Sequence, residues 1–453
     1  MKIAKIVPIH KKGDVKDVSN YRPISLLTSL SKVLEKLVYL RTVKFFLNHN
    51  IFSDFQFGFR EKHSTVHAIL TFIHKVASAL DNHLHTIGIF LDLSKAFDTI
   101  NHDILLQKLF YYGVRGNALE WFRNYLSNRK QFVFLNGESS SLQNLECGVP
   151  QGSLLGPLLF LIYINDIQYS SKILSFILFA DDSNIFLSHS DPHVLLRILN
   201  TELKYVSHWM KANKLSLNLL KTKFMLFSNS ISNLPGDIIF DDTILVKVNS
   251  IKFLGLTIDD NLSWKIHIDN VSKIISRNIG IIYRLKYFFP PSMLLMLYST
   301  LILPYLNYGI LAWGNTAKLL LDRIYLLQKK IVRIICNTNF YSHTNSLFHK
   351  NKLLKIYDIY DFNLGQFMYK YSKNELPNIF TNMFIKNSAI HKYPTRQSNS
   401  LHLPLTRTLF ANRTFNFTGP KLWNSLDKSL KEPHSLYSFK QKFKKQLLDK
   451  YVN

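Results

Sequence analysis

The chain has 453 residues, 47% of them hydrophobic, with 56 Lys and Arg against 30 Asp and Glu and a formal charge of +26. That length calls for two or three units sharing a sizeable core, and the hydrophobic content excludes a disordered chain. The cationic excess, spread along the whole sequence, points to a polyanionic partner, nucleic acid before a membrane surface; two cysteines, Cys147 and Cys336, are too few for a disulfide framework or a Cys-rich zinc knuckle.

So few cysteines argue for a reducing compartment, nuclear or cytosolic. The opening MKIAKIVPIHKKGD carries no long apolar core behind its lysines, so it is not read as a secretory signal. Within it IAKIVPIHKKGD reads as a basic strand. From Ser31 onward, Val33, Leu34, Leu37, Val38, Leu40 and Val43 fall at helical spacing. TVHAILTFIHKVASAL reads as an amphipathic helix and TIGIFLDL as a short buried strand ending at an aspartate. NHDILLQKLFYY is helical, and QFVFLNGESSSLQNLECGVPQGS reads as a hairpin followed by a Gly-rich turn. PLLFLIYINDI is expected as a buried helix with Pro157 in its first turn.

The apolar run ILSFILFADDSNIFL reads as two strands meeting at Asp181 and Asp182, followed by the helix TELKYVSHWMKANKL and the strand KFMLF. Hairpins mixed with helices in this order describe an α+β fold and not a regular doubly wound sheet. Beyond it come long helical segments, KIHIDNVSKIISRNIGIIYRLKYF and AKLLLDRIYLLQKKIVRIIC. Between them, Pro290 to Gly314 is free of charge over a length that could span a bilayer, but Pro304 and Asn307 interrupt it. A buried helix pair and no stable membrane association are expected. The last section is rich in Asn, Lys and Tyr and reads as a separate basic helical region. Nothing in the sequence speaks to oligomeric state.

Two adjacent carboxylates inside an apolar run are costly unless paired or metal bound. Taken alone, Asp181 and Asp182 read as a hairpin turn, a helix cap or half of a salt bridge. Asp92 changes that reading, because it ends the apolar run IGIFL in a comparable setting. Two strands delivering aspartates to one sheet edge, with no cation nearby in sequence, suit Mg²⁺. Paired Mg²⁺ ions suit nucleotidyl transfer, so a polymerase or nuclease leads.

FLDLSKAFDTINHDIL, CGVPQGSLLGPLLFLIYINDI and FADDSNIFL, in this order, resemble the palm motifs of reverse transcriptases of non-LTR (LINE-like, jockey-like) retrotransposons. KIVPIHKKGD, NYRPISLL and FQFGFREKHST resemble the family's fingers motifs, and LSLNLLKTKFMLF and IKFLGLTIDDNLSW its later palm motifs. The resemblance implies a right-hand polymerase: fingers and palm over residues 1–258, a helical thumb over 259–335, and a basic C-terminal region of unassigned role over 336–453.

The resemblance also implies roles. Asp92 and Asp181 would be the metal ligands, helped by the Leu93 carbonyl, with Asp182 supporting the catalytic cluster or the primer end. Two Mg²⁺ ions are implied, with Mn²⁺ a workable replacement. Asp98, on the turn into the next helix, is read as structural. Phe97 would pack under the incoming sugar and exclude a 2′-hydroxyl; ordinary core packing is the alternative. Gly148, Gly152 and Gly156 would let template bases approach the backbone, with Gln151 beside nucleotide and template. Arg22 with Lys11 or Lys12 would clamp the triphosphate. Lys221, or else Lys223, would give a proton to leaving pyrophosphate. Phe253, Leu254 and Gly255 would form the turn under the primer terminus, or a plain core hairpin.

The implied partners are an RNA template, a DNA primer and dNTPs. HKYPTRQSN and GPKLWNSL resemble C-terminal segments of some such elements, and their aromatics and cations would bind RNA or build a small core. No upstream endonuclease, RNase H pattern or early fingers extension is visible, so an N-terminally truncated element is expected. The competing expectation is a degenerate remnant that binds nucleic acid without catalysis; a telomerase-like or maturase-like identity is a third.

Overall fold

The computed structural model describes residues 2–11, 13–231, 233–390, 397–432 and 435–452. A hairpin of β1 (Ile3–His10) and β2 (Tyr21–Leu26) leads into α1 (Ser29–Asn48), α2 (Thr65–Asp81) and β3 (His85–Asp92). Helices α3 (His102–Tyr111) and α4 (Asn117–Leu126) precede β4 (Lys130–Leu135), which β5 (Glu138–Ser139) and β6 (Gln143–Asn144) pair back upon. Then follow α5 (Leu155–Ile164), the hairpin of β7 (Ser175–Phe179) and β8 (Asp182–His189), α6 (Pro192–Ala212) and β9 (Lys223–Phe227). Short strands β10 (Ile239–Phe240), β11 (Thr243–Ile244) and β12 (Val246–Lys247) lead to the hairpin of β13 (Ser250–Phe253) and β14 (Leu256–Asp259).

The central sheet runs β12-β9-β3-β8-β7, and a second five-stranded one runs β2-β1-β4-β5 with β6 also on β4. β3 sits between two antiparallel neighbours, with seven of its eight residues buried. Its Ile87, Ile89 and Leu91 enter one core and its Phe90 the other, which is why its apolar run does not alternate. The first core lies under α3, α5 and α6. α5 is apolar all round because it is buried all round. The second core begins at α2, whose Ser64 cap accepts from the His67 N–H at 3.3 Å.

α1 turns an unexpected face inward. Its Val33, Leu34, Leu37 and Leu40 are exposed, while Ser31, Glu35, Thr42 and Phe46 are buried. Glu35 explains this: its carboxyl oxygens accept from the Tyr125 hydroxyl at 3.0 Å and the Leu154 N–H at 2.7 Å. Polar satisfaction at Glu35 selects the face together with the packing of Val38, Tyr39, Val43 and Phe46.

The Asp259 carboxylate ends β14 and accepts from the Ser263 and Trp264 N–H groups at 2.8 and 3.0 Å, opening α7 (Lys265–Leu285). The charge-free segment folds as three short helices, α8 (Pro291–Leu301), α9 (Leu303–Asn307) and α10 (Ile310–Trp313). Among the described residues no helix is long and apolar enough to cross a membrane. α11 (Lys318–Ile335), α12 (Asn345–Lys350) and α13 (Ile356–Ser372) follow, and α13 packs on the later helices Phe415–Ser425 and Leu436–Asp449.

The second core continues without a break from α2 through α7 and α11 to Phe443 and Leu447. The last section is also tied directly to α2, where Asp81 Oδ1 accepts from the Arg407 and Thr408 N–H groups and the Thr408 hydroxyl at 2.7–2.9 Å. In GPKLWNSL, Leu422 and Trp423 pack against that core. Of HKYPTRQSN, residues 391–396 lie outside the described residues.

Candidate active site

Antiparallel pairing of β3 with β8 puts Asp92 opposite Asp182 at the same sheet end. Asp181 occupies the turn between β7 and β8, next to Ala180, whose φ is +57°. Burial, then the charges of Asp181 and Asp92, push the Asp182 carboxyl up to about 6. The two sequence segments therefore meet in space as expected, and the Asp182 carboxyl feels the charges of the other two.

The cluster has no cation nearby in sequence but gains one in space. The loop before β9 folds over the end of β3: Asn218 N–H donates to the Asp92 carbonyl at 2.8 Å and Ser94 N–H to the Ser216 carbonyl at 2.9 Å. Lys221 Nζ consequently lies 3.6 Å from Asp92 Oδ2. Lys223, by contrast, sits within β9, paired in register with Phe90 and Val246. Among the described residues no three His, Cys, Asp or Glu side chains are gathered in ligating geometry. The donor chemistry still fits a hard divalent cation, since carboxylates gathered at one sheet end offer the oxygen ligands such an ion takes.

The PQG turn is latched to the residues after β3. Val149 N–H donates to the Phe97 carbonyl at 2.9 Å, and Gln151 Nε2 to Asp98 Oδ1 at 2.8 Å. With one Nε2–H committed to an acceptor-only carboxylate, Gln151 has its amide oxygen and its second N–H left to face other groups. Asp98 thus has a partner in the turn. Phe97 is partly buried with its ring 4.8 Å from that of Phe160, the packing contact.

The fold itself requires a glycine at Gly152. Its φ is +128°, and a Cβ there would stand 2.6 Å from the Ser25 carbonyl oxygen. The close approach is by strand β2, where Ser25 N–H also donates to the Gln151 carbonyl at 2.7 Å. A cleft of about 340 Å³ opens between these parts, lined by Pro23, Ser25, Asp98, Cys147, Gly148 and Gln151 among others.

Lys11 and Arg22 are exposed on the β1–β2 hairpin, and among the described residues neither is ion-paired with an acidic side chain. Lys12 lies outside the described residues. Phe253 is buried against Phe72 and Phe90, with ring centroids 5.5 and 5.9 Å away. It can act on a primer only through its turn. Leu254 and Gly255 form that turn, both at positive φ, braced by the Tyr308 hydroxyl donating to the Leu254 carbonyl at 2.5 Å.

Three supporting residues escaped the sequence reading: Glu35, Thr222 and Gln56. Thr222 is fully buried, and its hydroxyl oxygen accepts from the Asp92 N–H at 3.3 Å. A lone acid in the apolar stretch of α1 and a lone amide between two aromatics in FQF were the available signals.

The family model for reverse transcriptase (RNA-dependent DNA polymerase) matches residues 9–258. The chain is similar to the RNA-directed DNA polymerase from mobile element jockey of Drosophila melanogaster, 29% identical over 378 residues, covering 79% of this chain and 40% of that relative. It is also similar to the probable RNA-directed DNA polymerase from transposon BS of the same organism, 30% identical over 372 residues, covering 76% of this chain and 39% of the relative. The chain therefore spans about 40% of the length of the curated relatives it matches. A solved telomerase from Candida tropicalis, truncated from its C-terminal domain, overlaps 57% of this chain and 53% of its own, at 15% identity and a TM-score of 0.39.

Proposed function

The chain belongs to the reverse transcriptase (RNA-dependent DNA polymerase) family, and from that premise we propose that it is a retrotransposon RNA-directed DNA polymerase, joining dNTPs to a primer 3′-hydroxyl. The observation that carries the reading is the register of Asp92 with Asp182, with Asp181 on the adjoining turn. Asp92 and Asp181, with the Leu93 carbonyl, would hold two Mg²⁺ ions, or Mn²⁺ in their place. When bound, such ions acidify the attacking hydroxyl and steady the triphosphate and its leaving group.

The remaining roles belong to the chain's own residues. Asp182 supplies the third carboxylate and fixes the start of β8. Lys221 Nζ, beside Asp92, is the proton donor to leaving pyrophosphate in preference to Lys223. Arg22 and Lys11, with Lys12, bring cations to the triphosphate from the hairpin of β1 and β2. Gln151, its amide plane fixed by the bond from Nε2 to Asp98, meets nucleotide or template through its amide oxygen or its second N–H. Phe97 acts on the sugar through the position of its ring on Phe160. The turn Phe253–Leu254–Gly255 supports the primer end. Fingers and palm over 1–258 and the helical region over 259–335 would hold the RNA template and DNA primer. The net charge of +26 supports a polyanionic partner, and the two free cysteines support a reducing nuclear or cytosolic location.

The test is extension of a DNA primer on an RNA template with four dNTPs and Mg²⁺. Template-dependent extension that stops on chelation is expected. Salt-sensitive RNA binding without extension would instead favour a binding remnant.

A further inference from the structure

The turn that carries Asp181 is held from outside its own hairpin. FQFGF lies alongside β7, with Phe57 N–H donating to the Leu178 carbonyl at 2.8 Å and Leu178 N–H to the Phe55 carbonyl at 2.9 Å. Between those bonds Gln56, 1% exposed, turns its amide to the end of the strand. Its Oε1 accepts from the Ala180 N–H at 3.1 Å and from the Gly58 N–H at 2.8 Å. Gly58 closes the same spot: a Cβ there would stand 2.3 Å from the Ala180 nitrogen, a distance no side chain tolerates.

These contacts fall on the least comfortable residue of the hairpin. Ala180 has φ +57°, a conformation that L-residues with a Cβ avoid and that persists only where surroundings over-determine it. Without the Gln56 oxygen, the Ala180 N–H would be buried with no acceptor, and the turn would relax toward commoner geometry. The next two residues are Asp181 and Asp182, so a shift of the turn is a shift of both carboxylates.

We propose that Gln56, with Gly58 beside it, is a positioning residue for nucleotidyl transfer: its side-chain carbonyl fixes the Ala180–Asp181 turn and thereby where the Asp181 and Asp182 carboxylates stand. The inference rests on the polymerase reading above. Gln56 itself touches no reacting atom. It links a segment of the fingers motifs to the reacting centre, so that displacement there alters the chemical step more than nucleotide binding.

The experiment uses the full chain as wild type, Gln56→Met, which keeps length and loses the acceptor, and Gln56→Glu, which keeps an acceptor oxygen at the same reach. Steady-state extension is measured well below the unfolding temperature, with folding followed by circular dichroism and amide exchange followed for the peptide around Ala180. Gln56→Met is expected to lose at least tenfold in kcat with KM for dNTP within twofold, and to exchange faster at Ala180 but not in β3. Gln56→Glu is expected to stay within about threefold of wild type in kcat. Gly58→Ala, which crowds the same nitrogen, is read in the same way if Gln56→Met does not fold. A folded Gln56→Met with wild-type kcat, or with its loss confined to KM, overturns this inference alone. A wild type that does not extend at all overturns the polymerase reading and this inference with it.

Discussion

Acid should weaken the helical half of the molecule through one buried imidazole. His267, 6% exposed in the first turns of α7, lies between the rings of Trp264 and Trp313, and burial holds its pKa down at about 4. Its Nδ1 accepts from the Thr257 N–H at 3.4 Å, and its Nε2 is buried with no partner among the described residues. Protonation would set an Nδ1–H against the Thr257 N–H and bury a charge. Because the folded pKa is depressed below the unfolded 6.5, the stabilisation is complete above pH 6.5 and is lost as pH falls toward and through 4. Linkage puts the loss at roughly 2 kcal/mol by pH 5 and about 3 kcal/mol below pH 4. The assay is denaturant unfolding of wild type and His267→Leu, with a probe in α7 or α11, at pH 7 and pH 5. Wild type should lose about 2 kcal/mol more than His267→Leu over that interval. Equal pH dependence in the two proteins would refute the argument.

Other outcomes follow from single contacts. Glu35→Leu removes the acceptor of both the Tyr125 hydroxyl and the Leu154 N–H and should cost about 3 kcal/mol, whereas Glu35→Gln, which can still accept from one and donate to the other, should cost under about 1 kcal/mol by chemical denaturation. Asp81→Ala should speed amide exchange over residues 405–413 by about tenfold, because Arg407 and Thr408 lose their common acceptor; unchanged exchange would contradict the docking role. RNA binding should weaken steeply between low and physiological salt, with a log–log slope whose magnitude matches several phosphate contacts; a flat salt profile would argue against phosphate recognition.

Much of this was legible because it depends on short patterns. Apolar runs ending at Asp92 and Asp181 marked strands, and their register then followed from a sheet with both faces buried, where a one-residue slip would be costly. What escaped were contacts between segments remote in sequence. Lys221 lies far along the chain from Asp92 and reaches it only because the loop before β9 folds across the end of β3. The close approach of the β2 backbone to Gly152, which by itself requires a glycine there, was likewise out of reach of the sequence. Helical periodicity correctly identified α1 but only part of its inward face: Val38 and Val43 pack on the core, while Val33, Leu34, Leu37 and Leu40 are turned out by a face that also seats Glu35.

The most direct test of the central claim separates binding from chemistry at one carboxylate. Wild type and Asp181→Asn are compared on the same RNA–DNA primer hybrid, with hybrid affinity measured by fluorescence anisotropy and single-turnover extension followed across a Mg²⁺ titration. The account predicts hybrid affinities within about threefold and an extension rate at least a thousandfold lower for Asp181→Asn at every Mg²⁺ concentration. Extension by Asp181→Asn at a rate near that of wild type would contradict it.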